Sequence, residues 1–164
     1  MPEDIAVRID TYCGYVAIVG RPNVGKSTLL NHLVGYRISA IVNKPQTTRT
    51  NVRGIVTQDK CQIIFTDTPG IHHDSKTLMN KTLNIAAVAA LDSVDAVVML
   101  VEALKWTAED DLVLKRLQHM ACPIFLLINK VDRIVEKERL FSYIEAVKEK
   151  GEFTEIIPIS ATKG

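Results

Sequence analysis

Residues 15–27 read Tyr15-Val16-Ala17-Ile18-Val19-Gly20-Arg21-Pro22-Asn23-Val24-Gly25-Lys26-Ser27. A β-branched apolar run ends at a glycine, and Gly25-Lys26-Ser27 follows after a short loop, which is the pattern G-x-x-x-x-G-K-[ST]. A strand precedes it and a helical pattern, Lys26 to Val34 stopped by Gly35, follows it. Gly20 and Gly25 let the backbone wrap closely with its N–H groups turned inward. Those donors and the helix N-terminus are suited to anionic phosphates. Lys26 supplies a point charge for the outer phosphates, and the Ser27 hydroxyl is a hard oxygen for Mg²⁺. Arg21, Pro22, Asn23, Val24 and Thr28 complete the expected binding loop.

Working outward, further apolar runs occur at Val52–Thr57, Ile63–Thr66, Ala96–Val101, Ile124–Ile128 and Ile156–Ile159. Continuous apolar runs predict strands buried on both faces of a mostly parallel sheet. Helical patterns separate most of them. Met79, Leu83, Ala86 and Ala90 share one helical face, and Leu140, Ile144 and Val147 mark a helix over about 136–150. Thr107 with Asp110 forms a capping box ahead of Leu112–Leu117. Only Gln58-Asp59-Lys60-Cys61-Gln62 lies between the second and third runs, which suits a hairpin and therefore one antiparallel strand. The expected class is α/β in three layers, with a six-stranded sheet. No closing helix follows Ser160-Ala161 before Gly164, so residues 1–164 are expected to be a domain cut before its last helix.

The composition is that of a globular domain, with 47% apolar and 24% charged residues. Lys plus Arg number 20 and Asp plus Glu 19, so no globally basic surface argues for nucleic acid. Cys13, Cys61 and Cys122 are too widely spaced for a zinc or disulfide framework and read as small core or edge residues. The apolar tract Ala86 to Val101 is broken by Asp92 and Asp95 and reads as helix then strand, not a membrane span.

Three more patterns fall at strand ends. Asp67-Thr68-Pro69-Gly70 is weak alone, but its place lets Asp67 hold Mg²⁺ through water and the Gly70 N–H sense a γ-phosphate. Asn129-Lys130-Val131-Asp132 discriminates between bases. The Asp132 carboxylate only accepts hydrogen bonds, and guanine offers it two adjacent donors where adenine presents an acceptor. Lys130 can lay its stem over the base, and Asn129 can tie loops together. After the last strand come Ser160 and Ala161, whose N–H suits a guanine carbonyl. In Lys44-Pro45-Gln46-Thr47-Thr48-Arg49 a threonine hydroxyl can complete the Mg²⁺ shell when a γ-phosphate is present; spacing does not choose between Thr47 and Thr48. All four patterns lie at the carboxyl edge of the sheet, where open α/β folds place ligands. They point to a Mg²⁺-dependent guanine-nucleotide domain with hydrolytic capacity. An ATP-dependent kinase or ATPase is disfavoured by Asn129 through Asp132; a pure binding module remains an alternative.

These residues resemble the translation-factor-related P-loop GTPases, and the G domain of the Era family in particular. The resemblance rests on Gly14 to Ser27, Gln46-Thr47-Thr48-Arg49, Asp67 to Gly70, Trp106-Thr107, Asn129 to Asp132 and Pro158 to Ala161. It implies a P-loop GTPase fold, GTP hydrolysed to GDP, and Thr48 as the switch ligand of Mg²⁺. It also implies a role in small ribosomal subunit assembly through ribosomal RNA, in the cytoplasm, with peripheral membrane contact known to the family. The family carries a C-terminal KH domain for RNA, which has no counterpart in these residues. A regulatory G domain of an RNA-modifying or membrane-associated protein is the alternative. Ile71 stands where small signalling GTPases place a water-orienting glutamine. The resemblance offers Asn23 as a potassium ligand beside the phosphates instead, giving Lys26, Thr48, Gly70 and Asn23 as the catalytic set. His72 and His73 read as solvated, Arg21 and Arg49 as surface or switch-loop charge, and Trp106 as packing.

Overall fold

The computed structural model describes residues 10–35, 51–67 and 94–163. Strand β1 (Tyr12–Val19) leads to helix α1 (Lys26–Val34), and β2 (Asn51–Gln58) and β3 (Cys61–Asp67) form a hairpin. Then come β4 (Ala96–Glu102), α2 (Ala108–Leu117), β5 (Ile124–Asn129), α3 (Glu138–Lys148) and β6 (Glu155–Pro158). A short 3₁₀ turn, Val131–Arg133, follows β5. The sheet order is β2-β3-β1-β4-β5-β6. Every pairing is parallel except β2 with β3, as the hairpin gap requires.

The two faces of the sheet are filled from alternate positions of each strand. Ala17 and Val19 of β1, Val97, Met99 and Val101 of β4, and Leu126 and Ile128 of β5 form one core with Val113, Leu114 and Leu117 of α2 and Val147 of α3. On the opposite face Leu100 packs with Leu29 of α1, Val24 and Ala161. Each large side chain so buried stabilises the fold by about 1.5–3 kcal/mol. Val24 and Ala161 belong to the loops at the carboxyl edge, so the second core also fixes those loops against the sheet.

The ladders lengthen the strands beyond their apolar runs. β1 starts at Tyr12 because residues 12–14 pair with Cys61, Gln62 and Ile63 of β3, although Cys13 and Gly14 carry no apolar signal. β6 spans Glu155–Pro158, one residue earlier than its apolar run. Helix α2 begins at Ala108, directly after Thr107, whose side chain and that of Asp110 close the expected capping box. Helix α3 is shorter than the pattern over 136–150 at both ends, the usual fraying of terminal turns. The helical face of Met79 to Ala90 lies outside the described residues.

Trp106 is a packing residue as expected. It lies against the first core, donates to Asp111 at 2.6 Å, and carries the Lys150 ammonium 5.1 Å from its ring centre. Cys13 and Cys61 are exposed, and Cys122 packs at the margin of the core; all three are free thiols. Burial pushes the Cys122 thiol above its ordinary pKa. No helix among the described residues is long and apolar enough to cross a membrane.

Candidate nucleotide-binding site

The chain order reverses direction beside β1. The connection from β1 runs toward β2 and β3, whereas β4 leads on to β5 and β6. This is the switch point where open α/β sheets leave a crevice. The loop after β1 opens into it.

That loop is held in a shape only its own residues allow. Gly20 has φ 147°, and an added Cβ would meet the Leu100 carbonyl oxygen. Gly25, at the N-terminus of α1, has φ 107°. A Cβ there would strike the side-chain amide of Asn129. Asn23 has φ 63°, a left-handed geometry that asparagine tolerates better than most residues. Lys26 folds its ammonium back onto the loop, donating to the carbonyls of Gly20 and Arg21 at 2.8 Å each. Val24 is wholly buried, whereas Pro22, Asn23, Ser27 and Thr28 are exposed.

The Asn129–Asp132 motif stands beside the phosphate loop. Asn129 ends β5 and is buried. Its amide donates to Val24 O at 2.8 Å, and its carbonyl accepts the Ala161 N–H at 2.9 Å. One side chain therefore joins three loops. Lys130 has φ 69° and donates to Asn23 O at 2.9 Å. Asp132 is exposed and accepts the Ser160 hydroxyl at 2.7 Å, and this bond, above all, holds its carboxyl below the usual carboxylate range. An ionised, oriented acceptor results.

The structure corrects the expectation for Arg21 and adds a partner for Ala161. Arg21 is not a surface charge: it is 8% exposed. Its Nε donates to Asp110 at 3.2 Å and its Nη2 to Glu102 at 3.0 Å. A buried guanidinium needs such anions, and the turn after Gly20 aims it inward at the start of α2. The Ala161 N–H, expected to meet a base carbonyl, is donated to Asn129 Oδ1 in this structure. It must be shared or released to meet a ligand.

Glu102 and Asp110 carry no signal of this role in the sequence, because nothing local shows that they converge on a residue 81 and 89 positions away. Asp110 is fully buried and also accepts the N–H and hydroxyl of Thr107, at 2.9 Å each. Glu102 Oε1 pairs with Lys130 Nζ at 3.1 Å. Burial raises the Glu102 carboxyl, but the hydrogen bonds and charges of Arg21 and Lys130 outweigh it, and its pKa lies below the ordinary value. Tyr143 of α3 donates to Glu102 O at 3.3 Å; burial, with help from the Asp110 charge, pushes its phenol up to about 12.

Ser27 offers Mg²⁺ an exposed hard oxygen in the first turn of α1, the donor type that the ion takes. Thr47, Thr48, Arg49, Gly70, Ile71, His72 and His73 lie outside the described residues. Asp67 ends β3, and its side chain is likewise outside them.

A wrapped phosphate loop, a helix N-terminus and an oriented carboxylate beside them define a P-loop nucleotide-binding domain. Residues 15–130 match the family described as 50S ribosome-binding GTPase, and the chain belongs to that family. It is 50% identical over 154 residues to GTPase Era of Marinobacter nauticus, covering 94% of this chain and 50% of that protein. It is 51% identical to GTPase Era of Glaesserella parasuis, covering 94% and 51%. Its fold is that of a solved structure of Era with MgGDPNP and nucleotides 1506–1542 of 16S ribosomal RNA, with a TM-score of 0.75, 38% identity, and 94% of this chain and 53% of that one covered. An Aquifex aeolicus Era variant bound to GDP and aluminium fluoride aligns with a TM-score of 0.70 at 37% identity, covering 93% and 52%. The chain spans about half the length of the curated relatives it matches.

Proposed function

We propose that residues 1–164 are the G domain of an Era-type protein, binding GTP with Mg²⁺ and hydrolysing it to GDP and phosphate. The observation that carries the reading is the Asn129 side chain, which clamps the phosphate loop through Val24 and the last loop through Ala161. A phosphate site and a base site are thereby held as one. Asp132, oriented by Ser160, accepts from the guanine N1–H and amine. Lys130 lays its stem over the base, and the Gly20–Thr28 loop cradles the phosphates, with Lys26 exchanging its loop carbonyls for phosphate oxygens.

Ser27, Asp67 and Thr48 are the residues assigned to Mg²⁺, which neutralises charge on the outer phosphates when bound. Gly70 is assigned to the γ-phosphate. With an apolar residue at position 71, water must be oriented by other means. We assign Asn23, exposed on the phosphate loop, as the ligand of a potassium ion there.

In the cell we place the protein in the cytoplasm, in assembly of the small ribosomal subunit through its RNA. The support is a relative solved with 16S ribosomal RNA. The balanced charge of this chain is consistent with RNA contact lying in the part of its relatives that it does not span.

Single-turnover GTP hydrolysis tests this reading, comparing potassium with sodium at equal ionic strength. Hydrolysis faster in potassium, with the stimulation lost in Asn23→Asp while GDP still binds, is the expected result. Stimulation unchanged by Asn23→Asp removes the potassium assignment.

A further inference from the structure

We propose that Glu102 is a positioning residue that couples the phosphate end of the site to the base end; this rests on the nucleotide-binding reading above. Glu102 ends β4, between the two loops it serves. One carboxylate oxygen takes Arg21 of the phosphate loop at 3.0 Å, and the other takes Lys130 of the base loop at 3.1 Å. Arg21 and Lys130 are both cations, and the carboxylate between them holds both in place.

The chain of contacts closes on itself. Lys130 donates to Asn23 O, two residues beyond Arg21 in the phosphate loop. Arg21 is anchored from its other side by Asp110, which is fixed in turn by the Thr107 cap of α2. Tyr143 holds the Glu102 backbone from α3. The Glu102 side chain is about one-fifth exposed and the Arg21 side chain 9%, so solvent screens this pair less than a surface pair. A displacement of Lys130 by a base therefore changes the balance of charge on Glu102, and through it the seat of Arg21. Glu102 need not touch the nucleotide to do this.

The test is a set of cycles on the full chain, read as release of a fluorescent GDP analogue. Arg21→Lys, Lys130→Met and the double variant are measured with Glu102 present and again in Glu102→Gln. Arg21 and Lys130 share Glu102, so the double variant should depart from the product of the singles by about threefold or more. In Glu102→Gln that departure should vanish. Equal departures in both backgrounds, or none with Glu102 present, overturn the coupling. A second measurement needs no arginine variant. Glu102→Gln should weaken competition by guanosine and by inorganic pyrophosphate separately, with Glu102→Asp recovering part of both. A loss confined to one fragment overturns the proposal, while tight GDP binding by the wild type keeps the nucleotide reading intact. A wild type that holds no GDP overturns both.

Discussion

The side-chain amide of Asn129 donates to the backbone carbonyl of Val24 at 2.8 Å, across 105 positions of sequence. Both groups are buried, so neither can turn to water if the other is lost. Asn129→Ala also strands the Ala161 N–H. Two buried groups left unpaired cost roughly 2–6 kcal/mol together. Urea unfolding should show that loss, and GDP binding should weaken by more than the stability loss explains, because two loops are released at once.

Gly25→Ala is expected to fail for a different reason. The position needs φ 107°, and the new Cβ meets the Asn129 amide nitrogen. Left-handed strain costs about 1–3 kcal/mol, and the clash displaces the clamp, so nucleotide affinity should fall at least tenfold. Gly14→Ala in β1 is the control. Its Cβ would lie 3.4 Å from the Asp95 carboxylate, an ordinary contact, and binding should be unchanged.

Acid should remove the contribution of Glu102. Its folded pKa lies below the ordinary value of 4.5. Its stabilisation is therefore fully present above 4.5 and is lost as pH falls through the lower folded value. The stability gap between wild type and Glu102→Gln, measured by urea unfolding, should be largest near neutral pH and shrink steadily below pH 4.5. A gap that widens in acid contradicts the ion-pair account.

Asp132→Asn should exchange the preferred base. An amide can donate to the 2-oxo group of xanthine, where a carboxylate repels it. Competition assays should show GDP weakened and xanthosine diphosphate strengthened. Position 132 is exposed, and the Ser160 hydroxyl can still donate to an amide oxygen there, so the fold should be retained.

Much of this was legible before any coordinates. Gly20 through Val34 gave strand end, loop and helix start correctly, since glycine spacing and an apolar run are local signals. The hairpin followed from a gap too short for a crossover. The capping box of Thr107 and Asp110 was legible for the same reason. What was not legible depends on residues meeting from afar. Arg21 resembles a surface charge in sequence, because Glu102 and Asp110 approach it only after β4 and α2 are in place. The Ala161 N–H looked available because its partner, Asn129, belongs to another strand. Strand ends were missed where the ladder, not hydropathy, sets them, as at Tyr12–Gly14.

The proposed G domain couples a phosphate site to a base site that accepts guanine and refuses adenine. Displacement of a fluorescent GDP analogue by unlabelled GDP and by ADP, in Mg²⁺, tests it most directly. GDP should compete at least about a thousandfold better, because ADP sets a ring acceptor against the Asp132 carboxylate. Equal competition by ADP would contradict it.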